Sequence, residues 1–386
     1  MFLFFFIRSL VNPLKFPLAN FATTSATGLQ IFPLFWKAVQ VLEKKCNLKV
    51  VAASCDGASS NRNFFNLHQY FSCNDSFDPE NDVIYKVQNP FAYPEHRYIY
   101  FISDPPHLLK TLRNCLFKSG ANNSNRLMWN NNIYLLWSHI SKFFYTDQEL
   151  GLHLLPKLSV EHISLNSYSI MTVRLAAQVL SSTVSKVLAE YGPPESSETA
   201  RFCGLVDNFF DIMNIRNCNE HTHKIKPFLK PFSSLDDERF KWLTDVFLNY
   251  FASWKESIDN REGPYNATDR ANMFLSYQTY NGIRITTYSI IECVQFLLSS
   301  GVPYVLTERF CQDPLENYFG QQRAINRRKD NPNLRDIGYG DNAIRNIKAS
   351  RSIIGGNVSS TGLGNLNVID NNPVPCRKRQ KTTKSE

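Results

Sequence analysis

The chain has 386 residues, 43% hydrophobic and 13% aromatic, with 29 Phe and 17 Tyr. That is enough apolar mass for two or three packed domains and excludes an unfolded chain as the general state. The formal charge is +8, and the whole excess lies past residue 320, where 13 Lys and Arg face 5 Asp and Glu; such a tail suits a polyanion contact, an import signal or simple solvation.

The first seven residues, MFLFFFI, are too few to span a bilayer and lack the leading basic residue of a signal peptide, so they read as a ragged start. Residues 23–28 (TTSATG) read as a helix start, and Leu29, Phe32, Phe35, Trp36, Val39 and Leu42 then recur at helical spacing. Pro33 falls within the first turns, where it is tolerated. Residues 49–55 (KVVAASC) form a short run without a polar face, as expected of a strand covered on both sides. It ends on Asp56-Gly57, which places a carboxylate at the carboxyl end of a strand, where α/β sheets bind ligands.

A helix is expected at 61–65, a polar loop over 73–95 and a second strand at 98–103 (YIYFIS). Asp104-Pro105-Pro106 caps the next helix, with Leu108, Leu109, Leu112 and Cys115 on its inner side. Two strand–helix units in succession predict an α/β sheet with helices on its faces. From 122 to 290 the pattern is helical and strand-poor, for example over 171–188 and 238–254, with a break at Gly192-Pro193-Pro194. We read this as a helical domain inserted into the sheet domain, with a helix over 288–298 leading back. The expected segments are 1–121, 122–290, 291–348 and 349–386, the last Gly-, Asn- and Ser-rich and disordered. No stretch is long and apolar enough to cross a membrane. Nine single cysteines without a C-x-x-C pair point to a reducing compartment.

The richest stretch for chemistry is LTERFCQDPLENYFGQQR, residues 306–323. Asp313 reads as an N-cap, Pro314 as the first helical position, and Glu316 lies one turn in. Asp56 and Glu316 are two carboxylates drawn from distant parts of the chain. Hard oxygen ligands suit Mg2+, and two such ions about 3.5–4 Å apart serve phosphoryl transfer. The structural alternatives are a turn residue before Gly57 for Asp56 and a capping-box partner of Asp313 for Glu316. Asp104 is an N-cap or a substitute acid, and His107 a core or DNA-facing residue. Cys218, His221 and His223 form a C-x2-H-x-H cluster with no second pair at zinc-finger spacing. Arg323, Arg327, Arg328 and Lys329 follow the Glu316 helix, placed for phosphate contacts or as a solvated helix end. Residues 377–381 (RKRQK) have the composition of a nuclear import signal. There is no GxxxxGK[ST] loop, so a nucleotide site here is not a P-loop.

Four motifs in order, CDGASSNRNFF (55–65), SDPPHLLKTLRN (103–114), KLSVEHISLNSYSIMTVRLAAQVLS (157–181) and the 306–323 stretch, resemble the P-element transposase family, which includes the THAP-domain transposase-like proteins of animals. The resemblance covers roughly residues 10–348. It implies an RNase H-like core interrupted by a helical GTP-binding insertion, and DNA cutting and joining by a DDE carboxylate triad with Mg2+. By the same resemblance Asp56 matches the second acid and Glu316 the last, and GTP lies near Lys157 and Arg174 with Asp313 close by. DNA and a homo-oligomer are the implied partners, and the nucleus the implied location. The first acid belongs to a strand upstream of the 29–44 helix, yet no acidic residue precedes Glu43, and the zinc-coordinating DNA-binding domain is absent. The expectation is therefore an N-terminally truncated core, first strand missing, that is inactive alone. The competing expectations are a domesticated non-catalytic DNA-binding or oligomerisation protein and a GTP-binding regulatory module.

Overall fold

The computed structural model describes residues 2–23, 25–71, 82–151, 153–326 and 333–350. They divide into a first unit, residues 1–315, and a second, residues 316–386.

The first unit opens with a hairpin, β1 (Phe2–Arg8) and β2 (Lys15–Ala22), paired antiparallel from Phe2↔Ala22 to Arg8↔Lys15. The MFLFFFI run is therefore a strand and not a ragged start. Its Phe-rich composition favours the pleated state, and the turn is tied by Ser9 N–H to Leu14 O (3.0 Å) and by Asn12 N–H to Ser9 Oγ (2.9 Å). Helix α1 (Gly28–Lys44) follows, held by a Thr27–Gln30 capping box. Ile31, Phe35, Val39 and Leu42 are buried, but Leu29 is 69% exposed, so the inner stripe starts two residues later than the spacing suggested.

Strand β3 (Ala52–Cys55) is shorter than expected and half-buried throughout. It leads into α2 (Ser59–Asn66). The expected polar loop partly contains a strand, β4 (Lys86–Gln88), while residues 72–81 lie outside the described residues. With β5 (Tyr98–Ser103) these make a sheet in the order β3-β5-β4, β3 parallel and β4 antiparallel to β5. β3 is thus an edge of this sheet and not a strand covered on both sides. β5 is the covered strand. Its Ile99 and Phe101 join a core with α1 and α2, whereas Tyr100 and Ile102 join the core of the helical part. Alternate residues serve two apolar layers, which is why YIYFIS has no polar face.

Helix α3 (Pro105–Lys118) buries Leu108, Leu109, Leu112 and Cys115, as the motif predicts. The small hairpin β6 (Trp129–Asn130) and β7 (Ile133–Tyr134) precedes α4 (Trp137–Gln148) and the short α5 (Val160–Ile163). The helix expected over 171–188 is two: α6 (Val173–Val179) and α7 (Ser182–Tyr191). Ser181 separates them because its hydroxyl caps α7, accepting from Val184 N–H. Next come α8 (Ser197–Met213) and the short α9 (Glu220–Lys224). From 238 to 259 the chain is continuously helical: α10 (Glu238–Lys241), a wider π stretch (Trp242–Leu248) and α11 (Asn249–Asp259). Trp254, fully buried, anchors this segment by donating from Nε1 to Trp129 O (2.6 Å).

The short α12 (Ala267–Asn272) leads to α13 (Tyr277–Ser299), eleven residues longer at its start than the 288–298 helix expected. It crosses back over β5. Thr286 Oγ1 donates to Ser103 O (2.9 Å) and accepts from Ser103 N–H (3.1 Å), while Ser289 Oγ donates to Tyr85 O (2.8 Å) and Phe101 O. Gly282 allows this approach, since a Cβ there would lie 2.7 Å from Leu108 Cδ2.

Helix α14 (Asp313–Ile325) begins one residue earlier than expected: Asp313 is its first residue, and Leu315 N–H bonds back to Gln312 O (2.8 Å). In the second unit its later turns pair with α15 (Leu334–Ser350). There the buried Gln322 donates from Nε2 to Tyr318 OH (2.8 Å) and to Asp341, burying Ile337 and Ile344 alongside. The basic residues Arg327, Arg328 and Lys329, the 377–381 run and the Gly-Asn-Ser tail lie outside the described residues.

Candidate active site

Parallel strands deliver their last residues to the same side of a sheet. Asp104 N–H continues the β3–β5 ladder by bonding Cys55 O (2.9 Å), so Asp56 and Asp104 leave neighbouring strands at one end. Asp56 is exposed. Its Oδ1 accepts from Ala58 N–H (2.9 Å) and Asn61 Nδ2 (2.7 Å), which folds the chain into α2, and its Oδ2 takes no hydrogen bond among the described residues. Gly57 follows because the His107 ring packs over it; a Cβ would meet His107 Cδ2 at 3.2 Å.

Asp104 is buried and acts as the cap the motif suggested, with Oδ2 accepting from His107 N–H (3.1 Å). Its Oδ1 accepts from Gln312 N–H (2.9 Å), and Gln312 Nε2 donates to Ser54 O (3.2 Å). The residue just before α14 is thereby stitched to the carboxyl ends of both β3 and β5. Arg8 strengthens the same loop from the β1–β2 turn, through Glu308 Oε2 (2.6 Å) and the carbonyls of Glu308 (2.8 Å) and Cys311 (3.3 Å). Asp313 lies 3.6 Å from Arg216 Nη2.

Two buried thiols record this gathering of acids. Burial first, then the charges of Asp56 and Asp104, push the Cys55 thiol up. Burial, then Asp104, Asp313 and Glu308, do the same to Cys311. Both stay protonated and are no nucleophiles.

Asp56, Asp104 and Asp313 thus collect in the first unit, while Glu316 and Arg323 belong to the second, both exposed on α14. Among the described residues no cluster of three or more His, Cys, Asp or Glu side chains could hold a metal ion, and this includes the Cys218, His221 and His223 set. Of the acids in the first unit, Asp56 has a free hard oxygen of the kind Mg2+ accepts. Asp104 has both oxygens occupied by N–H donors. Lys157 and Arg174 are exposed, Lys157 before α5 and Arg174 on α6.

Two residues escaped the reading of the sequence. Lys110 is 9% exposed on α3 and forms no hydrogen bond or ion pair among the described residues. One turn on, Arg113 is fully buried; it donates to Asn114 Oδ1 (2.8 Å), Ile170 O (2.7 Å) and Ser169 O (3.3 Å), and its Nη1 has no partner. Burial with no acid in reach lowers its pKa to about 10. A buried cation without a counter-charge is costly unless an anion arrives. The available signal was their place inside the apolar stripe of α3, beside Leu109, Leu112 and Leu116.

Comparison with known proteins agrees with this architecture. Residues 1–69 match the family model "TNP-like, RNase H N-terminal domain", and residues 106–226 match "TNP-like, GTP-binding insertion domain". The Transposable element P transposase of Drosophila melanogaster is 27% identical over 254 residues, 63% of this chain. The chain spans 30% of that protein's length. In fold it is similar to the Drosophila P element transposase strand transfer complex, with a TM-score of 0.65 at 22% identity over 88% of this chain and 68% of that one. Among the described residues no helix is long and apolar enough to cross a membrane. A match to an RNase H N-terminal model over residues 1–69, a match to a GTP-binding insertion model that opens on α3, and likeness to the P transposase in sequence and in fold are the grounds on which this chain resembles the P-element-type transposase family.

Proposed function

We propose that this chain is a transposase-derived protein that engages DNA, with Asp56 and Glu316 as two carboxylates of a DDE-type site. The observation that carries the reading is Asp56 itself: an exposed carboxylate with one oxygen open, at the carboxyl end of a parallel strand. When bound, Mg2+ would neutralise phosphate oxygens and activate the attacking hydroxyl. The chain's own part is to hold DNA phosphates through Arg323, Arg327, Arg328 and Lys329 and to present the two acids. Residues 377–381 then serve nuclear import.

Two acids are few ligands for two mutually repelling dications. These 386 residues on their own are therefore expected to bind DNA without cutting it, the domesticated role. Strand transfer in Mg2+ or Mn2+ on purified chain tests this, and robust cleavage abolished by Asp56→Ala overturns the inactive reading. Binding should weaken with salt, and replacing the four basic residues by Gln should flatten the log–log slope by roughly 0.9 per lost phosphate contact. An unchanged slope removes them from the interface.

The orphaned cations of α3 favour a second function within the insertion, GTP binding. Lys110 and Arg113 are proposed to meet phosphate charge, with Lys157, Arg174 and Asp313 as further contacts. GTP at a hundred times its Kd should stabilise the fold by about 2.7 kcal/mol, a rise of several degrees in Tm. Lys110→Met should remove most of that rise. No shift at millimolar GTP would exclude the site.

A further inference from the structure

The insertion carries a groove that neither the strand-end acids nor the α3 cations use. It lies between α4, the β6–β7 turn and the residues that follow α7, with a volume of about 590 Å³. Phe143, Tyr134, Tyr191 and Pro193 form much of its wall. Tyr191 is 64% exposed and Tyr134 36%, so aromatic surface stands in water around a concave site.

His139, Lys142 and Glu195 bring titratable groups to it, and Asn132 and Thr146 add polar ones. His139 Nδ1 lies 2.9 Å from Thr199 Oγ1, and that oxygen already accepts from Leu136 N–H (3.3 Å). Thr199 is fully buried, so its hydroxyl proton needs an acceptor, and Nδ1 is the one in reach among the described residues. Thr199 therefore donates to Nδ1, which places the imidazole proton on Nε2. Burial, the largest influence, and the Lys142 charge hold the imidazole pKa below its usual value against the pull of Glu195, so the ring is a neutral N–H donor at physiological pH. Lys142 sits three residues along α4, on the same helical face. It is exposed and forms no ion pair among the described residues.

We propose that this groove binds a small organic anion with a flat apolar body, such as an aromatic carboxylate, its charged end held by Lys142 and His139 Nε2–H and its ring against Phe143, Tyr134 and Tyr191. The volume falls within the range of about 300–1,000 Å³ usual for such ligands, and a mostly apolar lining with few polar groups fits that class. Glu195 also lines the groove, and its charge penalises a polyphosphate several times more than a single carboxylate, which separates this site from the one proposed for GTP.

The test is calorimetric titration of the full chain with 1-naphthoate, and with 1-naphthamide as the uncharged isostere. Saturable one-to-one binding is expected, with the amide at least about tenfold weaker, as loss of one charge-assisted contact implies. Lys142→Met should weaken naphthoate about tenfold, and Tyr191→Ala should weaken both ligands. Both side chains are exposed, so the variants should keep the parent melting temperature, which is measured alongside. Saturating GTP should leave the affinity unchanged. No saturation up to about 5 mM, equal affinity for acid and amide, indifference to Lys142→Met, or competition by GTP would each overturn the assignment.

Discussion

Glu43→Ala should cost about 3 kcal/mol of stability, read as a fall in the urea midpoint, because it takes from a buried guanidinium its buried partner and leaves it only a half-exposed one. Arg97 and Glu43 side chains are 2% and 8% exposed, and Arg97 Nη2 reaches both carboxylate oxygens at 2.6 and 2.7 Å. Glu43 Oε1 also accepts from Asn89 Nδ2 (2.8 Å) and Val50 N–H (2.8 Å). One carboxylate at the end of α1 therefore clamps the entry to β3 and the turn that leads into β5, the two strands that end in the candidate site. Glu95 also touches Arg97, at 2.5 Å, but it is 50% exposed, so solvent screens the pair and Glu95→Ala should cost much less than Glu43→Ala. The double change Glu43→Leu with Arg97→Met removes both charges and should recover much of the loss. A Glu43→Ala loss no larger than that of Glu95→Ala would refute the account.

What was legible in the sequence was whatever a few adjacent residues decide. Asp104-Pro105-Pro106 announces a helix start, since a short acceptor followed by proline satisfies the first turn locally, and α3 begins there. YIYFIS announces a strand, but its cover on both faces was read onto KVVAASC instead, because a short apolar run does not say which strand of a sheet is central. The β1–β2 hairpin escaped because MFLFFFI carries no alternation, and its pairing depends on a partner strand that includes Pro17 and on a register shift between Phe5 and Phe6. β4 escaped because three residues are too short for any period. Leu29 was misplaced because spacing gives the width of an apolar stripe but not its neighbours, and α2 meets α1 from Gly28 and Ile31 onward. At the site, Asp56 was visible as an acid ending a strand, and Asp104 as a cap. The bond from Asp104 to Gln312 was not, since it joins residues 208 apart. Lys110 and Arg113 drew no reading, and their burial emerges once α6 and the 166–171 turn close over α3.

Asp104→Ala is expected to cost about 2–4 kcal/mol, the sum of a lost N-cap near 1 kcal/mol and a buried N–H of Gln312 left without its acceptor at 1–3 kcal/mol. Asp104→Asn keeps one acceptor oxygen and should cost about half as much. The loss should be local in origin: amide exchange at His107 and Gln312 should accelerate before the sheet amides of β5 do. Asp313→Asn is the control, because its partner Arg216 is 55% exposed at 3.6 Å and such a pair contributes less than about 1 kcal/mol. If Asp104→Ala melts within about 0.5 kcal/mol of the parent with His107 and Gln312 exchange unaltered, the stitch is ornamental. If it melts as expected, the work of Asp104 is structural: its two oxygens accept from the backbone N–H groups of His107 and Gln312, and so tie the segment before α14 to the carboxyl end of β5.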